Sequence, residues 1–361
     1  MPAGRGHRPP PTDVRLAKQS DQSERIEGGM TRRSRSAAQE RRAAGRGRAL
    51  RRGRVLHAAA ASVCTALLGA LVLAGCAAGS ALDLARSDRP VVLTTFTVLA
   101  DMARGVAGEH LEIASITKPG AEIHGYEPTP GDIAKASQAD LILDNGMGLE
   151  AWFGQFVEQV DVPHVVVSEG VDPMDITGDA YAGRPNPHAW MSPVSARTYI
   201  DNMAAAFSEL DPEHAADYAA NAAAYKEQLL GIEQDLRTRL AQLPEDQRVL
   251  VTCEGAFSYL ARDVGLQEEY IWPVNAEQQA TPQQIAHVIE VVQAQGVPAV
   301  FCESTVSDRP MQQVVDATGA RFGGVLYVDS LSLADGPVPT YLDLLRHDAD
   351  TIVTALTGEP A

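Results

Sequence analysis

Short apolar runs alternate with longer amphipathic stretches through the region from 91 to 167. The apolar runs predict buried strands, and the stretches between them carry apolar residues at helical spacing. Thr129-Pro130-Gly131-Asp132 predicts the start of one helix, with a threonine N-cap and a proline in its first turn. This alternation indicates an α/β lobe with a mostly parallel sheet. The predicted strands lie at 91–96, 111–116, 141–144 and 164–167.

The same alternation returns toward the C terminus and predicts a second α/β lobe. One of its helices is expected to begin at Thr281-Pro282. Its strands are predicted at 249–252, 270–272, 299–302 and 325–328.

A long amphipathic stripe separates the two predicted lobes. Ser192-Pro193 predicts the start of one helix, and Asp211-Pro212 predicts the cap of the next, which is free of internal proline. Its apolar residues, three or four positions apart, are Tyr218, Ala222, Tyr225, Leu229, Ile232, Leu236 and Leu240. The predicted fold is therefore α/β: two lobes, each with a central mostly parallel β-sheet flanked by helices, joined by one long rigid α-helix. An ordinary surface helix of one lobe is the alternative interpretation of the stripe.

An apolar run from Val55 to Leu73 follows a dense arginine cluster and ends in Leu73-Ala74-Gly75-Cys76. A basic segment, an apolar stretch and small residues before a cysteine are typical of a bacterial lipoprotein export signal. A transmembrane helix is the alternative, because the run is about 19 residues long. We expect cleavage before a lipidated Cys76, which would anchor the protein at the outer face of the cytoplasmic membrane. Translation could begin at Met1 or Met30, and Arg51-Arg52 only weakly indicates twin-arginine rather than general export.

Charge is distributed unevenly along the 361 residues. Residues 1–75 hold 15 of the 30 Lys and Arg but only 5 of the 47 Asp and Glu. The chain from Cys76 onward therefore keeps 15 basic and 42 acidic residues, a net charge of −27. Such a surface repels nucleic acid and attracts cations, although an acidic surface also simply favours solubility. We expect no nucleic-acid partner.

The predicted organisation has five parts, and the chain is expected to be a monomer. They are a signal with an extended basic start (1–75), a lipidated tether (76–90), an N-terminal lobe (91–210), a linking helix (211–243) and a C-terminal lobe (244–361).

Two histidines and two acids are candidates for a metal site. His124 and His188 lie in proline-containing loops, the first after a predicted strand and the second before a predicted helix. Glu254 and Asp329 directly follow predicted strands, whose carboxyl ends face the crevice where α/β folds bind ligands. Two neutral imidazoles and two carboxylates suit a divalent transition metal. Spacing alone indicates this set only weakly, because any long chain offers comparable sets.

Five motifs around these residues, in the same order, resemble the metal-binding receptor lipoproteins of bacterial manganese, zinc and iron ABC transporters. Residues 124–130 resemble the family signature His-Ser-Tyr-Glu-Pro-Thr-Pro, and residues 186–193 resemble Asp-Pro-His-Ala-Trp-Leu-Asp-Pro. Residues 252–257, 302–310 and 328–330 resemble the three later signatures. The resemblance covers nearly all of residues 90–360.

The resemblance implies a solute-binding protein, not an enzyme. It would capture one divalent ion with His124, His188, Glu254 and Asp329, and deliver it to a permease driven by a cytoplasmic ATPase. Sites with two histidines, one glutamate and one aspartate resemble the family's manganese and iron receptors. Zinc receptors more often have a third histidine, and many have a His-rich loop, whereas residues 171–186 contain no histidine. Manganese is therefore expected, then iron, with zinc as the alternative.

Several points depart from the family or stay open. Gly125 stands where the family often has serine, and Ile123 where proline or aspartate precedes the histidine. Cys253 and Cys302 are expected either to form a disulfide, as an oxidising location allows, or to be two buried thiols. Because binding needs neutral imidazoles, metal affinity is expected to fall as the pH drops toward about 6.

Two other classes of function are alternatives to the receptor. A secreted metallohydrolase would need an open metal position and a general base such as Glu127 or Glu303, but each of these is expected instead to orient neighbouring residues. The chain also has no His-Glu-x-x-His helix. A lipid-anchored adhesin without transport is the third interpretation.

Overall fold

The computed structural model describes residues 88–157, 159–178, 181–274 and 280–358. The predicted export signal, the lipidated Cys76 and all but the last three residues of the tether lie outside this part of the chain. Among the described helices, none combines the length and apolar character that crossing a membrane requires.

Four parallel strands form the sheet of the N-terminal lobe, in the order β2-β1-β3-β4. Every residue of β3 is buried, as expected for a parallel strand covered on both faces. The strands are β1 (Val91–Thr94), β2 (Glu112–Ser115), β3 (Leu141–Asp144) and β4 (His164–Val166). The helices of this lobe are α1 (Thr97–Ala107), α2 (Pro130–Ala136), α3 (Phe153–Val157) and α4 (Pro193–Leu210).

The predicted helix starts of the N-terminal lobe are confirmed. Thr129 caps α2 in a reciprocal capping box with Asp132, and Ser192 caps α4 through its hydroxyl. In both cases the proline occupies the first helical position, where its missing N–H leaves no hydrogen bond unmade.

The linking helix, α5, covers Ala215–Leu240, and the seven apolar residues of the predicted stripe are its buried residues. It packs against α1 and α4 of the N-terminal lobe and against two helices of the C-terminal lobe. The ring of Tyr225 lies so close to Gly105 of α1 that a Cβ there would collide with it. One apolar cluster therefore runs from the N-terminal lobe through α5 into the C-terminal lobe.

The predicted cap of this helix is wrong. A short 3₁₀ turn, Pro212–His214, precedes α5, and the Asp211 side chain caps no backbone N–H. Its carboxylate instead accepts hydrogen bonds from the Tyr218 hydroxyl at 2.6 Å and from the His214 Nδ1 at 2.7 Å. The Asp211 oxygen is thus used by these two side chains and not by a backbone N–H of the helix.

In the C-terminal lobe the strands form two parallel pairs, β5-β6 and β7-β8, with β5 lying beside β7. The strands are β5 (Val249–Glu254), β6 (Gln267–Trp272), β7 (Ala299–Glu303) and β8 (Arg321–Leu326). The helices are α6 (Ser258–Val264), α7 (Pro282–Gln295), α8 (Arg309–Thr318) and α9 (Tyr341–Thr357), and α5 packs against α6 and α9.

A disulfide joins Cys253 of β5 to Cys302 of β7, with 4.8 Å between the Cα atoms. Of the two states that the sequence left open, the structure has the bonded one. Both cysteines are buried, at 0% and 1% exposure, so the bond crosses the apolar core between the two strand pairs.

The predicted position of the last strand is wrong. It was expected at 325–328, but β8 ends at Leu326, because the Tyr327 N–H donates to the Asp348 carboxylate at 3.0 Å. The strand also begins earlier, through Gly323 and Gly324, whose low strand propensity conceals it. Asp329 consequently lies three residues beyond the strand rather than directly after it.

Candidate metal centre

The loop between β2 and α2 holds His124, and side-chain hydrogen bonds fix it on both sides. The Glu122 carboxylate accepts from the backbone N–H groups of His124 at 2.8 Å and Gly125 at 2.9 Å. The Trp152 indole N–H donates to the Ile123 carbonyl at 3.3 Å. The backbone that carries the His124 ring is thus held by groups that the metal would not use.

His188 precedes a 3₁₀ turn, Ala189–Met191, and its ring contacts the Asn186 side chain. The Asn186 Oδ1 lies 2.8 Å from the His188 Nδ1 and also accepts from the His188 backbone N–H at 3.0 Å. Because an amide oxygen can only accept, this contact fits a neutral ring with its proton on Nδ1. The Nε2 atom then has its lone pair toward Glu254 and His124.

Glu254 is the last residue of β5, so it lies within the strand and not after it as predicted. Its backbone N–H donates to the buried Glu303 carboxylate at 3.1 Å. Gly255 follows, where a Cβ would lie 2.8 Å from the Tyr270 ring and 3.0 Å from the Pro273 carbonyl. A larger residue would therefore displace the strand end that positions Glu254.

Asp329 enters the cleft from the segment after β8. The Thr305 hydroxyl donates to its Oδ2 at 3.3 Å. The Trp190 indole donates to the neighbouring Val328 carbonyl at 3.1 Å, which ties this segment to the turn after His188.

The fold brings all four predicted residues together, with one potential ligand atom of each within 4.8 Å of the others. The His124 Nε2 lies 3.2 Å from the His188 Nε2, 3.4 Å from a Glu254 oxygen and 3.8 Å from an Asp329 oxygen. The His188 Nε2 lies 3.5 Å from the same Glu254 oxygen. Four ligands at about 2.1 Å from a tetrahedral ion are roughly 3.4 Å apart, so these separations fit one ion.

Burial keeps both imidazoles neutral. It lowers the pKa of His124 from 6.5 to about 3, and burial together with His124 lowers the pKa of His188 well below 6.5. The four side chains are between 0% and 5% exposed. Neutral imidazoles are the form that binds metal, and two carboxylates would balance the charge of a divalent ion.

The carboxyl group of Glu303 lies behind the proposed ligands. Burial raises its pKa from 4.5 to about 8, even though the hydrogen bond from the Glu254 N–H acts to lower it. It belongs to a second close group with Cys253 and Cys302, but the disulfide leaves that group no thiolate to offer a metal.

Sequence reasoning missed three of the residues that hold the candidates in place, namely Glu122, Asn186 and Thr305, whereas Glu303 was expected to orient its neighbours and does accept from the Glu254 N–H. Only Asn186 carries a readable signal, since it stands two residues before His188. The remaining histidines of the described chain lie outside the four-residue group; they are His110, His164, His214, His287 and His347.

The family described as "Zinc-uptake complex component A periplasmic" matches residues 92–355. The iron-binding protein YfeA of Yersinia pestis is 55% identical over 262 residues, covering 72% of this chain and 84% of YfeA. The manganese ABC transporter substrate-binding lipoprotein PsaA of Streptococcus mitis is 32% identical, covering 80% of this chain and 96% of PsaA.

Solved structures of two-lobed receptors are similar as well. A manganese-bound periplasmic metal-binding protein from candidatus Liberibacter asiaticus is 38% identical with a TM-score of 0.70, covering 74% of this chain and 100% of that one. The periplasmic zinc-binding protein TroA from Treponema pallidum is 26% identical with a TM-score of 0.69, covering 74% and 99%. The chain therefore belongs to the zinc-uptake component A family, the substrate-binding receptors of metal ABC transporters, and it is a solute-binding protein rather than an enzyme.

Proposed function

We propose that this protein captures one divalent transition-metal ion, manganese first and iron next, and delivers it to an ABC permease for import. The observation that carries the proposal is the buried cluster of two imidazoles and two carboxylates. His124, His188, Glu254 and Asp329 are the proposed ligands. The acidic surface would raise the local concentration of cations around the cleft.

The preference for manganese or iron rests on the donor set. Two carboxylate oxygens are harder ligands than imidazole nitrogen or thiolate and suit manganese. The disulfide removes the two sulfurs that would favour zinc. PsaA is named for manganese and YfeA for iron, which is consistent with this order.

Zinc is the second candidate. It binds most sites of nitrogen and oxygen ligands more tightly than manganese does. The family description and TroA both name zinc.

In the proposed mechanism, the ion joins the two lobes. Residues 91–210 supply the histidines and residues 244–361 the acids, so the metal–ligand bonds cross the cleft and stabilise its closed form. The linking helix packs against both lobes, and we propose that it keeps the closing motion small. Cys76 would hold the monomeric receptor at the outer face of the membrane, beside its permease.

Elemental analysis tests this proposal. Purified protein is offered equimolar manganese, ferrous iron and zinc without oxygen, together with the Glu254→Ala variant. The control is Glu290→Ala, which makes the same change at an exposed position of α7. We expect one manganese or iron per chain in the wild type and in the control, and none in Glu254→Ala. Zinc in the wild type that persists in Glu254→Ala would contradict both the ligand set and the metal preference.

A further inference from the structure

We propose that Asn186 is a positioning residue that sets the His188 ring for metal binding and ties it to the opposite lobe beside Glu254. The inference rests on the proposed function, because it assigns Asn186 a role in that same site. Asn186 is only 3% exposed and lies two residues before His188.

One end of the Asn186 side chain faces its own lobe. Its Oδ1 accepts from both the backbone N–H and the Nδ1 of His188, at 3.0 Å and 2.8 Å. These two bonds, both accepted by one oxygen, fix the position of the His188 backbone and the tilt of its ring. Without that acceptor, the ring could place its proton on Nε2, where it would block metal binding.

The other end reaches the C-terminal lobe. The Asn186 Nδ2 donates to the Gly255 carbonyl at 2.7 Å and to the Ser258 hydroxyl at 3.1 Å. Gly255 directly follows Glu254, so a single amide connects proposed ligands on opposite sides of the cleft. Opening the cleft would break the Nδ2 bonds, while the Oδ1 bonds would persist within the N-terminal lobe.

Backbone contacts hold Asn186 in place for this role. Its N–H donates to the Met174 carbonyl at 2.7 Å, and its carbonyl accepts from the Tyr259 hydroxyl at 2.8 Å. These two bonds fix the backbone of Asn186. Its side chain uses both of its donors and its acceptor in the same buried position.

The bonds to the C-terminal lobe need an amide, although the family signature has aspartate at this position, because only the amide nitrogen can donate to the Gly255 carbonyl. Ionised aspartate has acceptors only, so at this position it could still bind His188 but would face the Gly255 carbonyl without a proton to donate. Alanine would lose the bonds to both lobes. The two substitutions therefore separate the orientation of His188 from the link between the lobes.

The test compares Asn186→Asp and Asn186→Ala with wild type. Manganese affinity is measured by calorimetry, and ¹⁵N NMR of metal-free protein identifies which ring nitrogen of His188 carries the proton. The matched control is Asn202→Ala, which also removes two side-chain hydrogen bonds, to the Val167 and Glu169 carbonyls, but lies away from the ligands.

We expect Asn186→Ala to weaken manganese binding by roughly 10- to 100-fold, the usual effect of losing a partner behind a metal ligand. Part of its His188 population should carry the proton on Nε2. Asn186→Asp should keep the proton on Nδ1 and still weaken binding by roughly 10-fold, because the link to Gly255 is lost. Asn202→Ala should change neither measurement.

Wild-type affinity in Asn186→Asp would overturn the link between the lobes. An Nε2 proton on His188 in metal-free wild type would overturn the orienting role, and this measurement needs no variant that might fail to fold. If the wild type bound no manganese, iron or zinc, the proposed function would fail, whereas the NMR result would still decide the role of Asn186.

Discussion

In the N-terminal lobe both proposed ligands lie in loops, whereas in the C-terminal lobe Glu254 is the final residue of a strand and Asp329 lies three residues beyond one. The loop histidines depend on polar side chains, Glu122 and Asn186, for their positions. Glu254 depends instead on the strand itself, on a disulfide at the preceding residue and on close packing around Gly255. The comparison indicates that backbone rigidity positions the glutamate and hydrogen bonding positions the histidines.

The strongest way to break this comparison is to remove one ligand from each lobe. Glu254→Ala should weaken manganese binding on the order of 1000-fold. This is more than the roughly 100-fold loss that follows when a residue behind a ligand is removed. It removes a charge as well as a ligand from a strand end that cannot rearrange. His124→Ala should weaken manganese binding less, on the order of 100-fold, because water can replace an imidazole on a loop. Calorimetry checks the order, and a larger loss in His124→Ala would contradict it.

The disulfide provides the next largest effect. A bond between cysteines 49 residues apart should stabilise the fold by about 4 kcal/mol through the entropy of the unfolded chain. The double variant Cys253→Ala/Cys302→Ala should therefore unfold at lower urea concentration. Because the effect acts through the unfolded chain, amide hydrogens that exchange only on global unfolding should lose protection in β3 as well as in β5 and β7. Loss of protection confined to β5 and β7 would mean that the bond opposes local opening instead.

The pH dependence of stability should have opposite signs in the two lobes. His124 has a pKa of about 3 when folded and 6.5 when unfolded, so its contribution is present above pH 6.5 and is lost as the pH falls. By pH 4.5 the loss should be about 2–3 kcal/mol. Glu303, with a folded pKa of about 8 against 4.5, contributes fully below pH 4.5 and loses its contribution as the pH rises through 8.

Urea titrations of metal-free protein across pH 4.5–8.5 check these signs against His124→Gln and Glu303→Gln. The wild type should lose stability relative to His124→Gln on acidification, and relative to Glu303→Gln on alkalinisation. Parallel pH profiles for the wild type and either variant would show that the group concerned is not buried in this way. Because the pKa values of His124 and His188 are lowered, metal affinity should be lost only at a pH below the pKa of an exposed histidine.

The smallest expected effects come from two matching helix caps, and they test whether each lobe positions its own ligands. Thr129 and Thr281 each form a capping box, one in each lobe. Replacing either with alanine should lower the free energy of unfolding by about 1 kcal/mol. Only Thr129→Ala should also weaken manganese binding, because Thr129 belongs to the loop that carries His124. A change in affinity with Thr281→Ala would contradict a local effect.

Much of this arrangement could be predicted from the sequence, where periodicity or strand ends carried the information. The stripe from Tyr218 to Leu240 identified the buried face of the linking helix, since helical spacing depends only on local sequence. The end of β8 could not be predicted, because the Asp348 carboxylate, distant in sequence, takes the Tyr327 N–H. Long-range side-chain bonds of this kind also explain why the bridging role of Asn186 was missed. The capping role of Asp211 was wrongly predicted for a local reason, because His214 and Tyr218 take its carboxylate.

The buried cystine has a practical consequence for anyone who prepares this receptor. Protein recovered from a reducing cytoplasm would carry two free sulfhydryls, each adjacent in the chain to a buried glutamate, Glu254 or Glu303. Sulfhydryls that lose their protons to a metal favour zinc. The metal found in such a sample would therefore report the redox history of the preparation, and selectivity must be measured on protein whose oxidation has been verified.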